Sequence, residues 1–279
     1  MIERPTSPLA GVSAFAAETP TLPPATHTNS YALGERDLLL VEPATPYESE
    51  RREWLTWARS LTSTGRKIVG IFLTHHHADH VGGGEFFGRE LGVPLWAHED
   101  TAARITPEVA RKLCDGDEIT LDGPTPQRWR VLHTPGHAPG HACLHEVALG
   151  ALVVGDMVAS VGTILIDPVE GDMREYLAQL GRLEKLQARV ALPAHGSPIE
   201  EPSRLVRAYY AHRLMREGRI LEPLRDAPGT LDELVGRAYS DTHPSLWPIA
   251  KLSLEAHLIK LERDGHALRH ADGWATSES

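Results

Sequence analysis

A run of side chains that bind metals stands near residue 75, in the sequence Thr74-His75-His76-His77-Ala78-Asp79-His80. Neutral imidazole and carboxylate groups are ligands for Zn²⁺ and for harder divalent ions such as Mn²⁺ and Fe²⁺. A bound ion of this kind activates water and polarises the bond to be cleaved. The run therefore predicts metal-dependent hydrolysis.

The segment before the run decides how its side chains can point. Residues 67–73 (KIVGIFL) are apolar and rich in β-branched side chains, which predicts a buried strand. Because side chains alternate along a strand, His75 and His77 can lie on one side while His76 points away. The chain then turns, so the last two polar residues of the run can approach a second point. We therefore expect His76 to be structural and the ligands to be His75, His77, Asp79 and His80.

A second group of histidines follows at a spacing of four residues. Prolines and glycines between them exclude a continuous helix, so only one or two of the four can reach a common point. His137 is the best candidate, because it sits in a tight Pro-Gly loop. For His141 a role beside the site and an ordinary structural role both stay open. The other two histidines of this group, His133 and His145, are expected to have structural roles only.

Two single residues complete the candidate set. Asp156 ends an apolar segment (ALVVGD), where a buried carboxylate is costly without a cation. His195 likewise ends a predicted strand, in the sequence Leu-Pro-Ala-His-Gly. Because they occur together with the first run, we predict both as metal ligands.

The elements that must position these residues are strands mixed with helices. Strands are predicted at residues 38–41, 67–73, 94–98, 127–133, 142–146, 151–154 and 189–192, and helices at 48–62, 85–91 and 174–186. The first 28 residues are expected to be irregular apart from one short strand. This pattern predicts an α/β fold with its polar motifs on loops at strand ends.

The pattern changes after Pro202. Helices are predicted at residues 203–224, 231–239 and 246–263, and a hairpin at 266–274. Ser203 is the expected N-cap of the first, and Thr230 with Glu233 forms a capping box for the second. Helices followed by a hairpin outline a winged-helix module. We therefore predict a catalytic domain at residues 1–202 and a winged-helix-like domain at residues 203–279.

The composition limits the partners of the chain. The formal net charge is −10, which disfavours non-specific binding to nucleic acid or to anionic membranes. The N-terminus lacks the pattern of a signal peptide, and no segment approaches the ~18–20 apolar residues of a membrane helix. The expectation is a cytoplasmic protein without membrane contact.

Four motifs in this order, THHHADH, TPGH, GD after an apolar strand and PAHG, resemble the metallo-β-lactamase superfamily over about residues 29 to 200. The resemblance implies a four-layer αββα sandwich and two divalent metal ions, zinc or alternatively manganese or iron. It implies that His75, His77 and His137 hold one ion. It also implies that Asp79, His80 and His195 hold the other, with Asp156 bridging and Asp79 orienting the attacking hydroxide as the catalytic residue.

The resemblance narrows to the lactamase-beta-like protein 2 group through three segments: Thr28-Asn29-Ser30-Tyr31, Gly155-Asp156-Met157-Val158, and the helix with Ala211-His212-Arg213 that precedes the winged-helix tail. The chain departs from the family at Glu42, where Asp is usual. That departure affects ligand orientation or metal affinity.

Three functions are consistent with these features. The first is hydrolysis of a small-molecule ester, thioester or lactone through a metal-activated hydroxide, which the acidic net charge favours. The second is cleavage of single-stranded RNA, as in an endoribonuclease of the lactamase-beta-like protein 2 group. The third is a binding or scaffold role in which the winged helix contacts nucleic acid, or pairs two copies as a homodimer. The first is our prediction.

Overall fold

The computed structural model of the protein describes residues 3–63 and 65–277. They divide into two compact units. The first holds the chain up to Thr134 together with Pro139–Thr163 and Gln187–Pro202. The second holds Pro135–Ala138, Ile164–Leu186 and the chain from Ser203 onward. The predicted domain boundary at residue 202 stays a prediction.

The first unit contains a seven-stranded sheet whose strands lie in chain order. Its first four strands pair antiparallel, and β4 to β7 pair parallel. The parallel part brings the carboxyl ends of β4, β5 and β6 to one edge of the sheet. The strands are β1 (Thr6–Leu9), β2 (Val12–Glu18), β3 (His27–Leu33), β4 (Asp37–Val41), β5 (Lys67–Leu73), β6 (Leu95–His98) and β7 (Val109–Leu113).

A five-stranded sheet in the same unit has the order β12-β11-β10-β9-β8. Its strands pair antiparallel except β11 and β12, which are parallel. Since those two are parallel neighbours, the segments that follow them emerge side by side. The strands are β8 (Glu118–Leu121), β9 (Gln127–His133), β10 (Ala142–Glu146), β11 (Ala151–Gly155) and β12 (Val190–Pro193).

The two sheets share a continuous apolar core. Tyr31, Val41 and Phe72 from the first sheet pack in one cluster with Trp129 and Val153 from the second. The alternating side chains of each strand place one face of each sheet in this core. The packing fixes the edges of the two sheets next to each other, where the strand-end loops carry polar residues.

Helices cover the other face of the seven-stranded sheet. Trp54 is completely buried there, and its ring stacks on Phe87 with centroids 3.8 Å apart. Its Nε1 donates a hydrogen bond to the hydroxyl of Ser30, 2.7 Å away. The helices of this unit are α1 (Glu48–Leu61), α2 (Ala78–Val81), α3 (Gly84–Leu91) and α4 (Glu99–Ala102).

The second unit is helical with a small hairpin. Its elements are α5 (Met173–Glu184), α6 (Pro202–Asp226), α7 (Leu231–Ala238), α8 (Trp247–Arg263), β13 (Ala267–His270) and β14 (Gly273–Thr276). The core of its C-terminal part contains Leu224, Leu234, Leu258 and Trp274. Among the described residues, no helix is both long enough and apolar enough to span a bilayer.

The predicted α/β class is confirmed, with corrections at particular elements. The first 28 residues form β1, β2 and the start of β3 instead of one short strand. The predicted capping box of Thr230 and Glu233 is present. The predicted N-cap at Ser203 is wrong, because α6 begins one residue earlier at Pro202 and the Ser203 hydroxyl donates instead to Glu184 O at 3.4 Å.

Candidate metal centre

The candidate ligands of the first unit lie directly after buried strands. The histidine run follows β5 and continues into the short helix α2, with His77 as its N-cap. Asp156 follows β11, and His195 comes two residues after the end of β12. Because Gly155 pairs with Pro193 in the parallel β11–β12 ladder, the two later residues are delivered to the same place.

Four ligand atoms converge at this point. Asp156 Oδ1 lies 3.4 Å from His195 Nε2 and 3.6 Å from His80 Nε2. Asp79 Oδ2 lies 3.6 Å from His195 Nε2 and 3.7 Å from His80 Nε2. Each of the two carboxylate oxygens thus lies at a nearly equal distance from both imidazole nitrogens.

These distances are those of a metal site. Zinc binds imidazole nitrogen and carboxylate oxygen at about 2.0–2.2 Å, so tetrahedral ligand atoms lie about 3.3–3.6 Å apart. The observed separations of 3.4 to 3.7 Å match that arrangement closely. They also exceed the distance of a good hydrogen bond. The cluster of histidine and aspartate side chains therefore fits a divalent cation.

The charges around His80 also favour a bound cation. Burial lowers the pKa of His80, but the carboxylates of Asp79, Glu42 and Asp156 outweigh it and hold the pKa well above its usual value. Burial likewise raises the pKa of Asp156, yet the facing His80 and His195 hold that pKa well below its usual range. The carboxylates create a negative field that favours positive charge at this point.

His80 and Glu42 are two fully enclosed polar side chains beside the cluster. Neither ring nitrogen of His80 forms a hydrogen bond with any described residue, although Glu42 Oε1 lies 3.2 Å from Nδ1. A buried imidazole without such partners is costly unless a ligand completes its surroundings. With Glu42 facing Nδ1, the opposite nitrogen of His80 points to the two aspartates.

Glu42 itself is held from several sides. It is 1% exposed, and its backbone is left-handed with φ of 57°, a conformation that non-glycine residues seldom adopt. The Thr74 hydroxyl donates to Glu42 Oε1, and the Ser30 hydroxyl donates to the Glu42 carbonyl oxygen. The carboxylate is therefore fixed toward His80.

The two other histidines of the run lie together. His75 Nε2 and His77 Nδ1 are 3.0 Å apart, and the ring centroids are separated by 4.5 Å. His75 is fully buried and contacts the Thr74 hydroxyl through Nδ1 at 2.9 Å. This pair offers a second place for nitrogen ligands within the first unit.

His137 lies in the short segment that groups with the second unit. Its Nδ1 is 2.8 Å from the carbonyl oxygen of Leu165. Gly136 precedes it with φ of 129°, and a side chain there would come within 2.3 Å of the Tyr176 backbone nitrogen. Only glycine fits this close approach, which explains the Pro-Gly sequence of the loop.

His195 is oriented by the start of β3. Its Nδ1 lies 2.9 Å from the His27 carbonyl oxygen, which can only accept, so Nδ1 carries the hydrogen. Nε2 therefore presents its lone pair to the aspartates. The side-chain amide of Asn29 donates to the carbonyl oxygens of Pro193 and Gly196, at 3.0 and 2.7 Å, and ties the loop that carries His195 to β3.

His141 lies beside the site and contacts the backbone of a candidate ligand. Its Nε2 accepts a hydrogen bond from the Asp156 amide at 3.0 Å, and its Nδ1 contacts the Thr134 hydroxyl at 2.8 Å. Gly155 makes this possible, because a side chain there would come within 2.5 Å of His141 Nε2. The His141 side chain therefore lies next to the backbone of Asp156, and its role beside the site stays a prediction.

The remaining histidines lie elsewhere. His133 stacks on His98 with ring centroids 3.9 Å apart, and its Nε2 contacts the Pro139 carbonyl oxygen. His145 is buried within β10. His76 packs its ring against that of His77, with centroids 4.9 Å apart. Sequence reasoning missed the carbonyl of His27 as an orienting group, since a backbone atom leaves no residue signature.

Substitution of Glu42 by glutamine is expected to weaken Zn²⁺ binding about 10- to 100-fold, the usual effect of removing a partner that orients a ligand. Glutamine keeps the size of the side chain but removes the charge that faces His80 Nδ1. The affinity is measured by competition with a chromogenic chelator. Glu146→Gln is the matched control, because Glu146 is equally buried at the far end of β10. Equal affinities in the two variants would contradict the assignment.

Comparison with known proteins identifies the family of each part of the chain. Residues 23–195 match the model of the metallo-beta-lactamase superfamily, and residues 230–274 match that of the beta-lactamase associated winged helix domain. A beta-lactamase-like protein 2 homolog from Drosophila melanogaster is 32% identical over 212 residues, which is 71% of this chain and 70% of the relative.

Two further proteins extend the comparison. An atrochrysone carboxyl ACP thioesterase from Aspergillus fumigatus is 28% identical over 202 residues, covering 71% of this chain and 60% of that protein. The crystal structure of a metallo-beta-lactamase family protein from Thermus thermophilus superposes with a TM-score of 0.80 at 26% identity, over 96% of this chain and 99% of that one. The chain therefore belongs to the metallo-beta-lactamase superfamily, as a hydrolase with a C-terminal winged helix domain.

Proposed function

We propose that the protein hydrolyses a small-molecule ester, thioester or lactone, with two divalent metal ions in its active site and zinc as the first choice. In this proposal one ion is held by His75, His77 and His137. The other is held by Asp79, His80 and His195, and Asp156 bridges the two. The observation that carries the proposal is that Asp79 Oδ2 and Asp156 Oδ1 each lie 3.4 to 3.7 Å from both His80 Nε2 and His195 Nε2.

Divalent ions bound in such a site would lower the pKa of a water molecule and would polarise the substrate's carbonyl oxygen. The chain's own contribution at the reacting atoms is Asp79. Its side chain is 16% exposed, against 0% for His80 and 11% for Asp156, so it borders the open side of the cluster. Asp79 accepts a hydrogen bond from the attacking water and directs the water oxygen to the carbonyl carbon.

The bond changes balance without a further reactant. The water oxygen forms a bond to the carbonyl carbon, and its proton passes to Asp79. The carbon–sulfur bond of a thioester, or the carbon–oxygen bond of an ester or lactone, then breaks. Asp79 returns the proton to the departing thiolate or alkoxide, so the products are a carboxylic acid and a thiol or alcohol.

Two observations favour a small acyl substrate over RNA. The net charge of −10 opposes the approach of a polyanion. Binding along an RNA backbone depends on cationic side chains that neutralise its phosphates. In the helix α6, Arg207 pairs with Glu184, and Arg216 and Arg219 both pair with Asp241, so these cations are already neutralised. The relative named as a thioesterase makes a thioester the first substrate to test.

A substrate panel tests the proposal directly. Purified protein is analysed for metals and assayed with S-lactoylglutathione, an acyl-homoserine lactone, p-nitrophenyl acetate, nitrocefin and labelled single-stranded RNA. We expect turnover of a thioester, ester or lactone that stops with a chelator and returns with Zn²⁺. Protein that binds no transition metal, or that cleaves only RNA, would contradict the proposal.

A further inference from the structure

Arg213 is a buried cation on α6. It is 3% exposed, whereas arginine is almost never fully buried unless it is paired. Among the residues that the structure describes it forms no ion pair. Its Nη2 donates a hydrogen bond to the carbonyl oxygen of Ile164, and its guanidinium lies over the Tyr176 ring, 5.4 Å from the centroid. These two contacts must compensate for its burial.

The residue after Ile164 contacts a proposed metal ligand of the same unit. The Leu165 carbonyl oxygen lies 2.8 Å from His137 Nδ1. Because a carbonyl only accepts, Nδ1 carries the hydrogen, and Nε2 keeps the lone pair with which imidazole binds a metal. The position of the Ile164–Leu165 segment therefore sets both the tautomer and the direction of the His137 ring.

The second partner of Arg213 also reaches this loop. Tyr176 lies in α5, and the Asp172 amide at the N-cap of that helix donates to the Gly136 carbonyl oxygen at 2.8 Å. Gly136 packs directly against the Tyr176 backbone, where a side chain would not fit. Arg213 thus contacts both structures that hold the His137 loop: the Ile164–Leu165 segment and the first turns of α5.

We propose that Arg213 is a positioning residue, which holds the Leu165 carbonyl in place to orient His137 for metal binding. The inference rests on the proposed function, since it takes His137 as a ligand. It assigns to α6 an effect on the metal centre that is transmitted through the Ile164–Leu165 segment to His137. No contact between Arg213 and substrate is required.

The test compares three variants of the full chain by Zn²⁺ affinity and by the visible spectrum of the Co²⁺-loaded protein, which reports ligand geometry. Arg213→Met keeps the buried volume but removes the donor, and we expect it to weaken one of the two Zn²⁺ sites about 10- to 100-fold and to change the Co²⁺ spectrum. Arg213→Lys keeps one donor and should lie between Arg213→Met and the native chain. Arg216→Gln, on the same helix but paired with Asp241, should match the native chain.

The outcomes separate the two proposals. A native chain that binds no transition metal overturns the proposed function. A native chain that binds two Zn²⁺ ions, together with a folded Arg213→Met variant of the same affinity and Co²⁺ spectrum, overturns only the role of Arg213. If Arg213→Met does not fold by far-UV circular dichroism, Arg213→Leu decides, because it also removes the donor to the Ile164 carbonyl oxygen and leaves an apolar side chain at the buried position. Native affinity and spectrum in that variant would then overturn the inference.

Discussion

Replacement of Asp156 by alanine is expected to lower kcat/KM about 1,000-fold and to reduce the bound metal to one ion per chain or fewer. The carboxylate of Asp156 lies within 3.4 Å of His195 Nε2 and 3.6 Å of His80 Nε2, so its loss removes a negative ligand from between two histidines. A metal supplies several kcal/mol of transition-state stabilisation, and about 4 kcal/mol corresponds to a factor of 1,000 in rate.

The measurement combines steady-state kinetics on the substrate found in the panel with metal analysis of the dialysed protein. Asp37→Asn is the matched control, because Asp37 is a half-buried aspartate at the start of β4, where it pairs with Lys67 at 3.3 Å. It should retain native activity and metal content. Full turnover by the Asp156→Ala variant would rule out the bridging role.

Replacement of Trp54 by alanine is expected to lower the free energy of unfolding of the first unit by about 3–5 kcal/mol, as for other large-to-small changes in a core. The side chain is completely buried, stacks on Phe87 and meets the Trp57 ring edge-on at 5.4 Å. Trp54→Phe should cost less, because phenylalanine keeps much of the ring packing and loses only the hydrogen bond to Ser30 and part of the volume.

Hydrogen exchange of the β4 amides measures this effect within the first unit alone. Trp247→Ala is the control, since Trp247 belongs to the second unit and its Nε1 donates to the Thr242 carbonyl oxygen at 3.1 Å. Exchange in β4 should stay unchanged in the control. A cost below about 1 kcal/mol for Trp54→Ala would mean that the core repacks around the loss.

The interior of the fold could be predicted from the sequence to a large extent. The strands β5, β9 and β10 have the predicted bounds, because runs of buried apolar residues have few alternative structures. β7 and β8 were not predicted, and β1 lies in the first 28 residues, where one short strand at most was expected. β7 reads Val-Ala-Arg-Lys-Leu with exposed Ala110 and Lys112, and β1 is an exposed edge strand that contains a proline, so neither carries a hydrophobic pattern.

The candidate site shows where such reasoning ends. Residue types identified His80, Asp156 and His195, but the approach of Asp156 to His195 follows from the parallel pairing of β11 with β12, which the sequence does not reveal. The left-handed backbone of Glu42 was equally hidden, since glutamate gives no signal for it. Arg213 contacts a carbonyl 49 residues away, and no local pattern reports a contact of that range.

The division of the chain into two interleaved units limits where the protein can be truncated. The polypeptide passes from one unit to the other at residues 134/135, 138/139, 163/164, 186/187 and 202/203. A protein cut after Pro202 keeps Ile164 and Tyr176 but loses Arg213, which contacts both of them from α6. The chain is therefore not divided into units at this point alone, because a cut there would leave two segments of the second unit without α6, α7 and α8.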